Sequence, residues 1–99
     1  MELSDYRARI DQIDRQLVEL FAQRMNTAAG IAAYKKEHGL PVLDPVRERE
    51  KLLDVAAQAP EDMRDYTASL YTMLFELSRC YQGLSLIHIS EPTRPRLIS

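Results

Sequence analysis

The chain has 99 residues, 45% of them hydrophobic and 28% charged, the size and composition of one ordinary globular domain. Its net charge is −2 with no block of lysine or arginine, which leaves a nucleic-acid binder's phosphate attraction unsupported, and no apolar run approaches the roughly 20 residues that span a bilayer. One cysteine, Cys80, allows no intrachain disulfide, and a charged opening (Glu2, Asp5, Arg7, Arg9, Asp11) lacks a signal-peptide core, which predicts a cytoplasmic chain that is not a membrane protein.

The first predicted element is a long helix from Leu3 to about His38. Leu3, Tyr6, Ile10, Ile13, Leu17, Leu20 and Ile31 fall largely at three- and four-residue steps, the amphipathic helix pattern. Ser4 or Asp5 is the expected N-cap, and Gly39 the expected end, because glycine accepts the left-handed backbone that closes a helix. A helix of about 34 residues is about 51 Å long, whereas a compact chain of this size has a radius of gyration of about 13 Å. One protomer does not bury such an element. The stripe therefore predicts an intertwined, domain-swapped homodimer in which two first helices run against each other.

Arg24 and Lys35 interrupt this stripe. They stand eleven residues apart, which at roughly 100° per residue returns them to within about 20° of one face, some 16 Å apart along the axis. An uncompensated buried cation is costly, so an anion meets the pair when the seam is covered. That anion is either a carboxylate of the protein or a bound ligand; the long stems also have the option of reaching out to water.

Gly39-Leu40-Pro41 marks a loop, and Asp44-Pro45 a restart, since aspartate caps free N–H groups and proline suits the first helical position. A second helix is expected from about Pro45 to Gln58. Ala59-Pro60 interrupts, and Glu61 and Asp62 suit the positive first turn of a third helix running to about Gln82. Tyr66, Leu70, Met73, Leu74, Leu77 and Tyr81 form its stripe, with Ser78 and Gln82, four apart, flanking it together. Alone, that pair reads more readily as an ordinary polar boundary. Gly83 is the expected stop.

The closing text breaks with what precedes it. Leu84 to Ser90 alternates like a strand, and Glu91-Pro92-Thr93-Arg94-Pro95 does not continue a helix. The segment from Leu84 to Arg94 resembles a translated transposase adapter from sequencing-library preparation. Residues 84–99 are accordingly expected to be a non-native tail and residues 1–83 the helical domain, so His88 is not a candidate ligand.

Helix geometry directs Arg24, Lys35, Asp44, Arg47, Glu48, Ser78 and Gln82 toward a shared interior. Arg7 lies about 25 Å along the first helix from Arg24, too far for both to grip one small molecule within a protomer. Antiparallel pairing of two first helices carries Arg7 of one toward Arg24 and Lys35 of the other. Taken singly, Arg47-Glu48 reads as a solvated charged face and Asp44 as a cap. Tyr34, His38 and Cys80 read as packing or surface groups.

The joint order and spacing of these residues resembles the all-helical class of chorismate mutase, from about Tyr6 to Gln82. The likeness rests on Arg7, Ile10, Ile13 and Asp14 in Arg-x-x-Ile-x-x-Ile-Asp, then Leu17 to Arg24, Lys35, Pro41-Val42-x-Asp44-x-x-Arg47-Glu48, and finally Ser78 and Gln82. The text also looks like the N-terminal mutase domain of bifunctional prephenate dehydratases, so that a natural C-terminus replaced by the adapter-like text would have been lost at a domain junction. This resemblance implies an all-α, three-helix homodimer that rearranges chorismate to prephenate, in the shikimate route to aromatic amino acids. The reaction is pericyclic and needs no cofactor, metal, nucleophile or proton transfer. The substrate is a dianion whose flexible side chain must be held over its ring while charge develops on the breaking ether bond.

The family's roles carry over to matching positions. Arg7 of the second protomer and Arg24 would bind the two carboxylates, as guanidinium forks suit carboxylate geometry. Lys35 and Gln82 would donate to the ether oxygen, and Glu48 with the backbone near Asp44 would receive the ring hydroxyl. Arg47 would orient Glu48, Ser78 would assist one carboxylate, and Ile31 and Phe75 would form apolar walls. Catalysis is thereby expected from Lys35, Gln82, Arg24 and Glu48. Two other readings stay open: a mutase-like dimer that binds a metabolite with little or no chemistry, and a structural dimerisation domain whose cations pair with its own carboxylates.

Overall fold

Three helices, α1 (Leu3–Glu37), α2 (Pro45–Gln58) and α3 (Arg64–Tyr81), with a 3₁₀ turn at Glu61–Met63 ahead of α3, make up the protein in a computed structural model that describes residues 1–83. The described residues are all-helical, without a strand. The strand-like alternation of Leu84 to Ser90, and the division between residues 1–83 and a tail at 84–99, lie outside the described residues.

Local chemistry sets each boundary. α1 begins earlier than the residue types at Ser4 and Asp5 imply, with Glu2 as N-cap. Asp5 is the reason: its Oδ2 accepts from the Glu2 backbone N–H at 2.9 Å, so the aspartate ties down the chain from inside the first turn. At the other end Gly39 adopts φ +68°. The Leu40 N–H then reaches the Lys35 carbonyl at 2.8 Å and the Gly39 N–H the Lys36 carbonyl at 3.3 Å, the paired bonds of a left-handed cap. His38 stacks on Tyr34 with ring centroids 4.0 Å apart, and its Nδ1 lies 2.9 Å from the Tyr34 carbonyl.

α2 has the expected limits. Asp44 Oδ1 accepts from the Arg47 backbone N–H at 3.0 Å, and Pro45 occupies the first position, where its missing N–H costs nothing. α3 starts later than expected, because the chain leaving Pro60 first winds tightly, with the Met63 N–H on the Pro60 carbonyl at 2.8 Å. Gly83, at φ +74°, closes it as expected.

α3 packs against α2 and against α1. On α1 that contact is confined to the later turns: residues 1–23 are all exposed, and the first residue with substantial cover is Arg24. The stripe of Leu3, Tyr6, Ile10, Leu17 and Leu20 thus stands open, each residue more than half exposed. Among the described residues only Ala32, Val55 and Ser78 are buried. Folding gains most from apolar area removed from water, and this arrangement withdraws little of it.

Candidate functional site

The later turns of α1, the loop before α2, the first turn of α2 and the last turns of α3 enclose one cavity of about 170 Å³. α1 contributes Arg24, Ala28, Ile31, Ala32 and Lys35, placed on one face by the eleven-residue spacing of the two cations. The loop adds Val42, Leu43 and Asp44, and α2 adds Arg47 and Glu48. Phe75, Ser78, Arg79 and Gln82 close the cavity from α3. Seven of the eight expected site residues, Arg24, Lys35, Asp44, Arg47, Glu48, Ser78 and Gln82, meet here, as do Ile31 and Phe75. Arg7 does not: it lies on the exposed early turns of α1, outside the cavity.

The polar groups are held in distinct ways. Arg24 places its guanidinium carbon 5.4 Å from the Tyr71 ring centroid and 5.6 Å from that of Phe75, within cation–π range. It forms no ion pair among the described residues. Lys35 Nζ is 4.0 Å from Asp44 Oδ2, within ion-pair range and too long for a hydrogen bond. Ser78 is 7% exposed, and its Oγ accepts from Gln82 Nε2 at 3.0 Å. That bond uses one of the two amide hydrogens of Gln82 and leaves the Ser78 O–H as a donor.

Glu48 is held differently from the expectation. Arg79, not Arg47, binds its carboxylate: Arg79 Nη1 donates to Glu48 Oε2 at 2.6 Å, while Nη2 donates to Glu76 Oε1 at 3.0 Å. Arg47 lines the cavity without an ion pair among the described residues. Burial works against the Arg79 charge, but the hydrogen bonds and attraction of Glu76 and Glu48 outweigh it and raise the guanidinium above its ordinary pKa. Sequence reasoning missed Arg79. Its spacing of three from Glu76 on a helix was a readable signal for the local ion pair, but the contact with Glu48 joins residues 31 apart in the chain.

Four cations line the cavity, Arg24, Lys35, Arg47 and Arg79, against two carboxylates, Asp44 and Glu48. In a chain of net charge −2, this local surplus favours an anion, and the apolar walls favour one with a compact hydrophobic body. No group of three or more His, Cys, Asp or Glu side chains suited to a metal ion occurs among the described residues, and none of their helices is long and apolar enough to cross a membrane.

Curated relatives align with about half of the chain. A T-protein of Haemophilus influenzae is 44% identical over 46 residues, which cover 46% of this chain and 12% of that protein. The chorismate mutase of Methanocaldococcus jannaschii is 38% identical over 48 residues, 48% of either chain, and a T-protein of Enterobacter agglomerans is 37% identical over 51 residues, 52% of this chain and 14% of the relative. The matched region thus spans less than half the length of each of these relatives. No solved structure matches significantly. The family model of chorismate mutase type II, however, matches residues 6–83, which take in α1 from Tyr6 onward, all of α2 and α3 and every residue lining the cavity, and the chain belongs to that family.

Proposed function

We propose that the protein rearranges chorismate to prephenate as a homodimer with two equivalent sites, each completed by Arg7 of the second protomer. The convergence on one cavity of cations in excess of carboxylates, together with neutral hydrogen-bonding groups, carries this reading. Once Arg79 is committed to Glu48 and Glu76, Arg24, Lys35 and Arg47 remain against Asp44, a surplus of two positive charges that suits a dianion.

Arg24 receives one carboxylate, its guanidinium held within cation–π range of Tyr71 and Phe75 and its forked donors not engaged in an ion pair among the described residues. Ser78 donates its hydroxyl to the same end of the substrate. Arg7 of the second protomer takes the other carboxylate. Held at both ends, the side chain folds over the ring, which removes much of the entropic part of the barrier. Lys35 and the second amide hydrogen of Gln82 donate to the ether oxygen, where negative charge grows as the bond breaks. Glu48 and the backbone near Asp44 receive the ring hydroxyl, and Arg47 adds positive potential. Residues 1–83 carry the activity, and residues 84–99 take no part in it.

The open stripe on α1 supports the dimer: a contiguous row of half-exposed Leu, Ile and Tyr side chains is what an interface leaves when its partner is removed. Loss of chorismate, followed directly, tests the activity on the full chain and on a version ending at Gly83. Equal turnover by both is expected. Absence of turnover, together with no heat on titration with a bicyclic dicarboxylate mimic of the transition state, removes this reading and leaves a structural dimerisation domain.

A further inference from the structure

We infer that Arg79 is a positioning residue for this reaction: through Glu48 it fixes the acceptor for the substrate's ring hydroxyl, and so makes the site selective for substrates that carry one. The inference rests on the chorismate reading above. Glu48 projects from the first turn of α2, with its side chain 35% exposed, where three rotatable bonds leave an unsupported carboxylate free to sample solvent. Arg79 reaches it from α3 at 2.6 Å and is itself anchored at 3.0 Å by Glu76, one turn back on the same helix. The guanidinium is thus gripped by two carboxylates, and its rigid fork transmits that restraint to Glu48.

The bond engages Oε2 of Glu48 and leaves Oε1 without a partner among the described residues, an acceptor aligned by the constraint on the other oxygen. The other charged groups that line this cavity are Arg24 and Lys35 from α1, with Asp44 and Arg47 from the start of α2. None of them forms an ion pair with Glu48 among the described residues, so the restraint has a single source. Once a bound substrate covers it, a half-buried acceptor that meets a hydroxyl also penalises a substrate lacking one, because the acceptor is then left unsatisfied.

The test compares two substrates in the full chain. One is chorismate; the other is its analogue with hydrogen in place of the ring hydroxyl. Arg79→Gln retains a neutral donor, and Arg79→Lys retains the charge without the fork. The Gln variant is expected to lose at least tenfold in kcat/KM on chorismate and less than threefold on the analogue, with the Lys variant recovering part of the chorismate rate. Equal losses on both compounds, or no loss on either, overturn the inference, since a purely structural role or a direct grip on a substrate carboxylate does not distinguish them. Circular dichroism verifies helix content. If the Gln variant does not fold, the Lys variant decides by the same comparison: a loss confined to chorismate supports the role, and any other result removes it. Failure of the unmodified protein to turn over chorismate removes the parent reading and this role together, whereas normal turnover with unselective variants removes this role alone.

Discussion

Lys35 and Asp44 face each other across the seam between α1 and the start of α2, with Nζ 4.0 Å from Oδ2, while the other carboxylate oxygen of Asp44 caps α2 at 3.0 Å from the Arg47 N–H. One side chain therefore serves a helix terminus and a cavity-lining cation. The two duties separate on substitution. Asp44→Asn keeps a good cap and removes the charge, whereas Asp44→Ala removes both. Loss of the cap is expected to cost the alanine variant about 1 kcal/mol, whereas the asparagine variant, which keeps the cap, is expected to lose at most a few tenths from the missing charge at the helix N-terminus. Urea unfolding at one fixed protomer concentration measures the difference, since the stability of any oligomer depends on concentration.

In the proposed mechanism Lys35 is the position at which a small change is expected to cost most. Its side chain is 23% exposed and lies within ion-pair range of Asp44 without a hydrogen bond to it, so its three donors remain available for a ligand. Lys35→Ala is expected to lower turnover of chorismate by at least 10²-fold, the effect of removing one preorganised donor worth about 2.7–4 kcal/mol in the transition state. Helix content and oligomeric state should not change, as the long stem reaches into the cavity and not into a packed core. Activity within a few fold of the unmodified protein removes Lys35 from the mechanism.

A shared site makes a sharper demand on mixtures. If each site takes Lys35 from one protomer and Arg7 from the other, Arg7→Ala and Lys35→Ala proteins are both inactive alone. Unfolded together and refolded, they form hybrid dimers in which one site holds both intact residues and the other holds neither. Random pairing of equal amounts makes about half of the dimers hybrid, so about one quarter of the original activity is expected to return, by the two-fold symmetry of such a dimer. A mixture as inactive as its components shows that Arg7 acts within its own chain or not at all.

How much of this was legible follows from the range of each interaction. Gly39, Asp44-Pro45, Ala59-Pro60 and Gly83 act on the backbone within a turn of themselves, so the helix order and the limits of α2 could be read directly. The start of α1 was misplaced because Ser4 is the better capping residue by type, while Asp5 bonds backwards and moves the cap to Glu2. The delayed start of α3 reflects the tight turn after Pro60, which composition does not distinguish from a first α-turn. Within the cavity, Arg24 with Lys35 and Ser78 with Gln82 each follow from spacing on one helix. The partner of Glu48 does not. Arg47 was its neighbour in the text, but consecutive residues diverge by about 100° around a helix, and a guanidinium from α3 occupies the place.

The open stripe gives the last prediction. Leu17 is 55% exposed in the protomer, and a substitution at such a position in a monomeric protein usually alters stability by less than about 0.5 kcal/mol. If α1 of a second copy covers this face, Leu17→Glu instead forces a carboxylate into an apolar seam, where its charge has no partner and its desolvation is uncompensated. Gln12→Glu adds the same charge about 140° around the helix from Leu17, off the stripe, and serves as the control. The Leu17 variant is expected to sediment as a monomer or unfold at micromolar concentration with loss of chorismate turnover, while the Gln12 variant remains dimeric and active. The two losses should appear together, because a separated protomer has neither cover for its first helix nor an Arg7 for its cavity. A Leu17→Glu protein that stays dimeric and active shows that this face is not the interface.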